Sequence, residues 1–241
     1  MSSPGVPTRA VILAGGLGTR LAPYTTVFPK PLMPVCGKPV LELVLRGLRR
    51  QGVRRATLAV SYLEELIRAF FGDGSKLGIE LDYYREETPL GTVGILSMLE
   101  DLPDPCLVMN GDTLTTMDIA AMARLHHERQ AVMTVATQSR EVHIDYGVLD
   151  MDGAGDITGY REKPVLSYVV SAGVNLIGAE ARASLRRAER CDIPTLVSRL
   201  VEGRARVATY NSGAYWRDIG RPDDYEAANA EFPALMAEFG L

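Results

Sequence analysis

Short β-branched apolar runs alternating with amphipathic stretches constrain this chain more than any other feature of its sequence. Arg9–Ala14 (RAVILA) is apolar after its first residue and stops at Gly15, the pattern of a strand buried on both faces. Pro39–Gln51 then carries Val40, Leu41, Val44, Leu45 and Leu48 at helical spacing. Further strands are predicted at Ala56–Val60, Ile79–Tyr84 and Cys106–Met109, the last closing at Asn110-Gly111-Asp112, with helices over Leu63–Phe71 and Val93–Leu99. This alternation specifies an α/β fold with a mostly parallel sheet covered by helices. Such sheets bind ligands beyond the carboxyl ends of their strands, which puts the Gly15 loop and Asp112 at one edge before any motif is considered.

The second half changes character. Met117–Gln130 reads as a helix, and Ala131–Thr137, Tyr146–Met151, Ile157–Tyr160 and Tyr168–Ile177 read as strands, with Gly153 and Gly155 marking a turn. Helices at Glu180–Ala188 and Ile193–Glu202, a strand at Val207–Tyr210 and a terminal helix at Pro222–Phe239, proline first, complete the order. This half is expected to extend the same sheet with some antiparallel strands and a lid-like insertion. The expected fold class is a Rossmann-like three-layer α/β sandwich. No repeat, low-complexity tract or linker interrupts it, so one domain over 1–241 is predicted, with residues 1–8 a short disordered tail.

Composition excludes other classes. A net charge of -4 argues against a nucleic-acid groove, which is ordinarily basic, yet leaves room for a phosphate pocket. No apolar run approaches the roughly 18–20 residues of a membrane span, and the opening residues have neither a basic start nor an apolar stretch. Cys36, Cys106 and Cys191 are scattered without metal-ligand spacing, as thiols in a reducing cytoplasm are, so a soluble cytoplasmic protein is expected.

After the first strand comes Gly15-Gly16-Leu17-Gly18-Thr19-Arg20-Leu21, whose glycines let backbone N–H groups converge on an anion. The spacing of a P-loop is absent, and Leu21 stands where a dinucleotide fingerprint needs its third glycine. Pro23, Pro29, Pro31 and Pro34 stiffen the adjoining segment, which reads as a preformed wrap around a ligand. The wrap carries two cations: Arg20, able to grip phosphate bidentately, and Lys30, a compact point charge.

Leu13-Ala14-Gly15-Gly16-Leu17-Gly18-Thr19-Arg20-Leu21 with Pro23 and Thr25, then Pro29-Lys30-Pro31-Leu32, closely resembles the signature of sugar-phosphate nucleotidyltransferases. The resemblance continues in order through Pro89-Leu90-Gly91-Thr92, Asn110-Gly111-Asp112, Glu162-Lys163-Pro164 and Trp216 to Tyr225. It implies attack by a sugar 1-phosphate oxygen on the α-phosphorus of a nucleoside triphosphate, with Mg²⁺ as cofactor and pyrophosphate as leaving group. The nucleophile is already anionic, so the demand is to bring two polyanions together and stabilise the departing charge.

By this resemblance Arg20 holds the β- and γ-phosphates, Lys30 neutralises the α-phosphate, and Asp112 and Asp218 bind Mg²⁺. Leu13, Gly15, Gly16, Gly18, Thr19, Glu86, Leu90, Gly91 and Thr92 are the implied nucleotide contacts. Gly147, Glu162, Lys163 and Gly173 are the implied sugar-phosphate contacts, although Ser171 stands where many members have asparagine. Residues about 9–115 form the implied nucleotide-binding half and about 116–241 the sugar-phosphate half. His126 and His127 read as solvated or helix-capping, and Trp216 as packing near the site.

A carboxylate at Glu86 or Glu87 suits guanine, whose N1–H and exocyclic amine are both donors. The short Leu90-Gly91-Thr92 loop also resembles guanylyl-transferring members, so GTP with a mannose- or heptose-type 1-phosphate is the favoured pair. The same reaction with dTTP, UTP, CTP or ATP and the 1-phosphate of glucose or a related sugar is the alternative, and a catalytically silent nucleotide-sugar-binding regulatory subunit is the alternative of a different class. No hexapeptide repeat is present, which suggests a monofunctional enzyme, with a homodimer as an allowed assembly and neither nucleic acid nor membrane as partner.

Overall fold

The computed structural model describes residues 5–16, 18–61 and 63–241, so Leu17 of the glycine motif lies outside the described residues. The elements run β1 (Arg9–Leu13), β2 (Pro34–Val35), β3 (Lys38–Pro39), α1 (Val40–Arg50), β4 (Arg55–Val60), α2 (Glu64–Phe71), β5 (Glu80–Arg85) and α3 (Gly91–Gly94). They continue β6 (Cys106–Asn110), β7 (Thr113–Thr115), α4 (Ile119–Glu128), β8 (Met133–His143), β9 (Val148–Met151), β10 (Ile157–Arg161) and β11 (Val165–Ile177). The last are α5 (Ala179–Ala183), α6 (Ile193–Glu202), β12 (Val207–Tyr210), β13 (Trp216–Asp218) and α7 (Pro222–Glu231).

Seven strands form the central sheet in the order β12-β8-β11-β6-β1-β4-β5. Only β11 opposes its neighbours, pairing antiparallel with both β6 and β8, while the other ladders are parallel. The continuous apolar character of β1 has a direct cause. Ala10 and Ile12 face one buried cluster with α1, α4 and α7, whereas Val11 faces a second cluster with α3 and α6. Leu107 and Met109 divide from Cys106 and Val108 in the same way. Layers on both faces leave no side of these strands for polar residues, which confirms the expected three-layer α/β sandwich.

Differences from the expected elements have local reasons. The terminal helix stops at Glu231 and continues as 3-10 turns over Phe232–Phe239, because Pro233 has no N–H and its ring crowds the preceding turn. The helix expected over Glu180–Ala188 ends at Ala183, and Ala188 has a positive φ of 58°. The helix expected over Val93–Leu99 begins at Gly91 and gives way to a 3-10 turn at Ile95–Ser97. Strands β8 and β11 are longer than predicted and run beyond the sheet as an antiparallel ribbon, their register shifting between Ser171 and Asn175. Gly173, with φ 70°, lies at that shift. Of the expected tail over residues 1–8, residues 1–4 lie outside the described residues, while Pro7 is buried and the Thr8 carbonyl accepts the N–H groups of Arg54 and Arg55.

His126 is a correction to the reading as a solvated residue. It is buried, and its Nδ1 lies 2.9 Å from Thr134 Oγ1 across the α4–β8 interface, whereas His127 is exposed. Burial, reinforced by the neighbouring His127, holds the His126 imidazole below its ordinary pKa against a smaller opposing pull from Asp104. The unfolded chain therefore takes up this proton first as pH falls. His126 contributes full stability above its unfolded value, and that contribution is lost as pH falls below about 6.5 toward the folded value. His126→Gln should flatten this acid-side loss, measured as the difference in urea midpoint between pH 7.5 and pH 5.5. An equally steep loss in the variant would remove His126 as its source.

Candidate active site

The carboxyl ends of β1, β4 and β6 open onto a cavity of about 450 Å³. Its lining includes Leu13, Gly15, Gly16, Gly18, Thr19 and Arg20 from the glycine loop, with Lys30 and Pro31 from the proline wrap. Glu86, Pro89, Gly91 and Thr92 supply another wall, and Asn110, Asp112 and Gly220 a third. One site thus gathers segments spread over most of the chain, at the sheet edge predicted from topology alone.

Two glycines of the loop, Gly15 and Gly18, are each held by a named partner. Ser61, just beyond β4, donates its hydroxyl to the Gly15 carbonyl at 2.6 Å. A Cβ at Gly15 would lie 3.0 Å from that same Ser61 oxygen, so the close approach favours glycine. Gly18 has φ 63° and sits against Thr25 and Lys30, and Thr25 Oγ1 donates to its carbonyl at 2.7 Å. An added Cβ at Gly16 would meet nothing within 4 Å, so that backbone is open to a ligand.

The two carboxylates meet through strand pairing. Asp112 follows β6 on a tight turn whose Gly111 N–H donates to the Leu13 carbonyl at 2.9 Å. The next residues form β7, which pairs antiparallel with β13 and sets Asp218 opposite Thr113. The Ile219 N–H then donates to the Asp112 carbonyl at 3.0 Å. Lys30 bridges the pair: its Nζ contacts Asp112 Oδ2 and lies 3.9 Å from Asp218 Oδ1. Burial first, and the Asp112 charge second, push the Asp218 carboxyl above the usual carboxylate range, with Lys30 and Arg20 pulling the other way. Two adjacent carboxylates whose repulsion is only partly offset form a hard-oxygen donor set that suits a divalent cation. Among the described residues no group of three or more His, Cys, Asp or Glu could hold a metal, so phosphate and water oxygens would complete the shell.

Gly220 is a site residue that the motif reading missed. A Cβ there would lie 2.9 Å from Asp218 Oδ1, 3.0 Å from Lys30 Nζ and 3.1 Å from Arg20 Nη2. Three charged groups from distant segments therefore converge on one point, and glycine keeps it open. The signal was present in Asp218-Ile219-Gly220 but shows its meaning only when the three heads come together. Asn110, the last residue of β6, lines the cavity and was not named as a contact although it stands in the Asn110-Gly111-Asp112 block, and Ser61, which holds the glycine loop, carries no distinctive spacing.

Other candidates fall elsewhere. Leu90 is buried and does not line the cavity; its N–H donates to Glu86 Oε1 at 3.2 Å. Burial raises the Glu86 carboxyl pKa, and the Leu90 hydrogen bond opposes the shift. Glu87 is exposed and outside the lining. Gly147, Glu162 and Lys163 do not line this cavity either. They flank the β9–β10 hairpin, exposed, where Tyr160 Oη packs on Gly147 and donates to Glu162 Oε2 at 2.9 Å. Gly173 abuts the cavity wall, since an added Cβ would lie 2.5 Å from Asn110 Nδ2. Trp216 donates its Nε1–H to the Ala172 carbonyl at 2.8 Å and packs against the core.

Comparison with known proteins agrees with this geometry. A family model described as nucleotidyl transferase matches residues 9–234. A UTP–glucose-1-phosphate uridylyltransferase of Synechocystis sp. is 31% identical over 97% of this chain and 68% of its own length. A mannose-1-phosphate guanylyltransferase of Mycobacterium tuberculosis is 33% identical over 96% of this chain and 68% of its own. The crystal structure of HddC from Yersinia pseudotuberculosis complexed with GMP-PN superposes with a TM-score of 0.70 at 26% identity, covering 93% of this chain and 99% of that one. Among the described residues no helix is long and apolar enough to cross a membrane. The chain belongs to the nucleotidyl transferase family, among its sugar-phosphate nucleotidyltransferases.

Proposed function

We propose that this sugar-1-phosphate nucleotidyltransferase takes GTP and a mannose- or heptose-type 1-phosphate, releasing pyrophosphate. The observation that carries the choice of base is Glu86, a half-buried carboxylate on the cavity wall whose Oε1 accepts the Leu90 N–H. A carboxylate removed from water needs donors. Guanine offers two adjacent ones in N1–H and its amine, whereas the N3–H of uracil is flanked by carbonyls that repel a carboxylate. The M. tuberculosis relative, named a guanylyltransferase, and HddC, crystallised with GMP-PN, support the same base.

In the proposed reaction a sugar-phosphate oxygen bonds to the α-phosphorus in line as the bond from that phosphorus to the β-phosphate oxygen breaks. Backbone N–H groups at Gly15–Gly16 and Gly18–Thr19 cradle phosphate. Arg20 grips the departing pyrophosphate, and Lys30 neutralises the α-phosphate region. Asp112 and Asp218 would hold Mg²⁺, which when bound supplies positive charge against the accumulating phosphate charge. Residues 9–115 would serve mainly the nucleotide. The later half would contribute Asp218 and, from the β9–β10 hairpin and its flanks, Gly147, Glu162 and Lys163 toward the sugar phosphate.

The Synechocystis relative, named for UTP and glucose 1-phosphate, makes that pair the second reading. Pyrophosphate release with Mg²⁺, pairing each nucleoside triphosphate with mannose, heptose and glucose 1-phosphates, separates the two. GTP with a mannose- or heptose-type phosphate should give the highest kcat/KM. Faster release with UTP and glucose 1-phosphate would replace the first reading with the second.

A further inference from the structure

We propose that Asp192, outside the cavity, is a positioning residue that holds the base-reading loop and thereby sets nucleobase discrimination. The proposal rests on reading Glu86–Thr92 as that loop. Asp192 occupies the N-cap of α6, where an aspartate ordinarily accepts an N–H from its own first turn. Here it makes no such bond, and Pro194 in that turn has no N–H to give. Asp192 Oδ1 instead accepts the N–H of Thr92 at 3.0 Å, 100 residues earlier in the chain. In return Thr92 Oγ1 accepts the Ile193 N–H at 2.8 Å. The loop and the helix exchange caps.

Cys191 closes the clamp from its backbone. Its N–H donates to the Leu90 carbonyl at 2.9 Å, and its carbonyl accepts from Val93 at 3.0 Å and Gly94 at 3.1 Å. The packing leaves no slack: a Cβ at Gly91, where φ is 77°, would lie 2.6 Å from both Asp192 Oδ1 and the Cys191 carbonyl oxygen. One at Gly94 would lie 2.6 Å from the Glu189 carbonyl oxygen. Leu90 donates onward to Glu86, so hydrogen bonds run from the Cys191 backbone through Leu90 to the carboxylate on the cavity wall, and Asp192 pins the same loop two residues further on at Thr92. The four-residue α3 is too short to order itself, and the bonds to residues 191–193 supply what it lacks.

Asp192→Ala removes the acceptor for Thr92, and Asp192→Asn keeps an Oδ1 in place. In the alanine variant KM for the preferred triphosphate should rise about tenfold, the scale of one lost charge-assisted hydrogen bond, with kcat within about twofold. KM for the sugar 1-phosphate should stay unchanged, the kcat/KM preference among triphosphates should shrink, and asparagine should restore most of both. A merely structural role predicts a uniform loss for every triphosphate without rescue, and that pattern, or an unchanged KM and preference in the alanine variant, overturns the proposal. Should Asp192→Ala not fold, Asp192→Ser, whose hydroxyl falls short of Thr92, replaces it with the same expectations. Amide hydrogen exchange at Thr92 and Val93 needs no substrate and should accelerate in the variant while α6 stays protected; unchanged exchange overturns the clamp. A wild-type enzyme without base preference would sink the reading of the loop, and the exchange rates would still decide the clamp.

Discussion

Asp112→Asn should lower turnover by about 10²–10³-fold, the loss typical of removing a preorganised electrostatic group, while the fold survives. The carboxylate sits on the turn after β6, against Lys30 and beside Asp218, and its backbone carbonyl is already bound by the Ile219 N–H. Asparagine keeps that backbone geometry and most of the side-chain shape, so the substitution isolates charge. With one carboxylate gone, the like-charge pressure on Asp218 falls and the pair can no longer offset a divalent cation. The measurement is pyrophosphate release under saturating substrates, with circular dichroism as the check on folding and Mn²⁺ affinity in the presence of nucleotide as the second readout. Turnover within threefold of wild type, on the order of 0.6 kcal/mol in barrier, would remove Asp112 from the catalytic machinery.

Gly220→Ala should cost about 10²-fold in turnover with little change in stability, because a shift of order 1 Å in reacting groups is enough for such a loss. The three atoms nearest the added Cβ are the ends of Asp218, Lys30 and Arg20, between 2.9 and 3.1 Å away. Flexible side-chain ends can swing aside, so folding pays little. Under the proposed mechanism those same ends are the charges that must stay in register, so catalysis loses what folding keeps. Thermal midpoint and kcat measured on one preparation separate the two. A large fall in midpoint with kcat preserved would make Gly220 a packing residue instead.

The layers of the fold were legible because they rest on local periodicity. β1 needs apolar residues at successive positions since Ala10 and Val11 face different buried clusters, and that requirement is written directly into RAVILA. The glycine-loop wall of the cavity was legible for a related reason. Gly15 is favoured by a tight contact with Ser61, and Gly18 by a positive φ and contacts with Thr25 and Lys30, so the spacing of glycines records the loop's shape. Element ends were harder to read. Pro233 stands two residues past the end of α7, although the expected helix ran on to Phe239.

What the sequence by itself determined was the layered α/β sandwich, the glycine loop with its two cations, and the presence of carboxylates able to serve them. Tertiary structure alone decided which charges meet. Asp218 reaches Asp112 because β13 pairs with β7, with Thr115 Oγ1 donating to a carbonyl 100 residues away at Tyr215. Asp192 turns from its own helix to hold Thr92, whose hydroxyl caps α6 in exchange, a pairing that no local helix-start pattern predicts. His126 is buried because α4 lies against β8, although its neighbour His127, alike in sequence, is exposed. Periodicity and glycine spacing constrain residues within a turn or a strand of one another. A strand pairing or a shared cap depends on the closure of long loops, and that is settled only when the whole core packs.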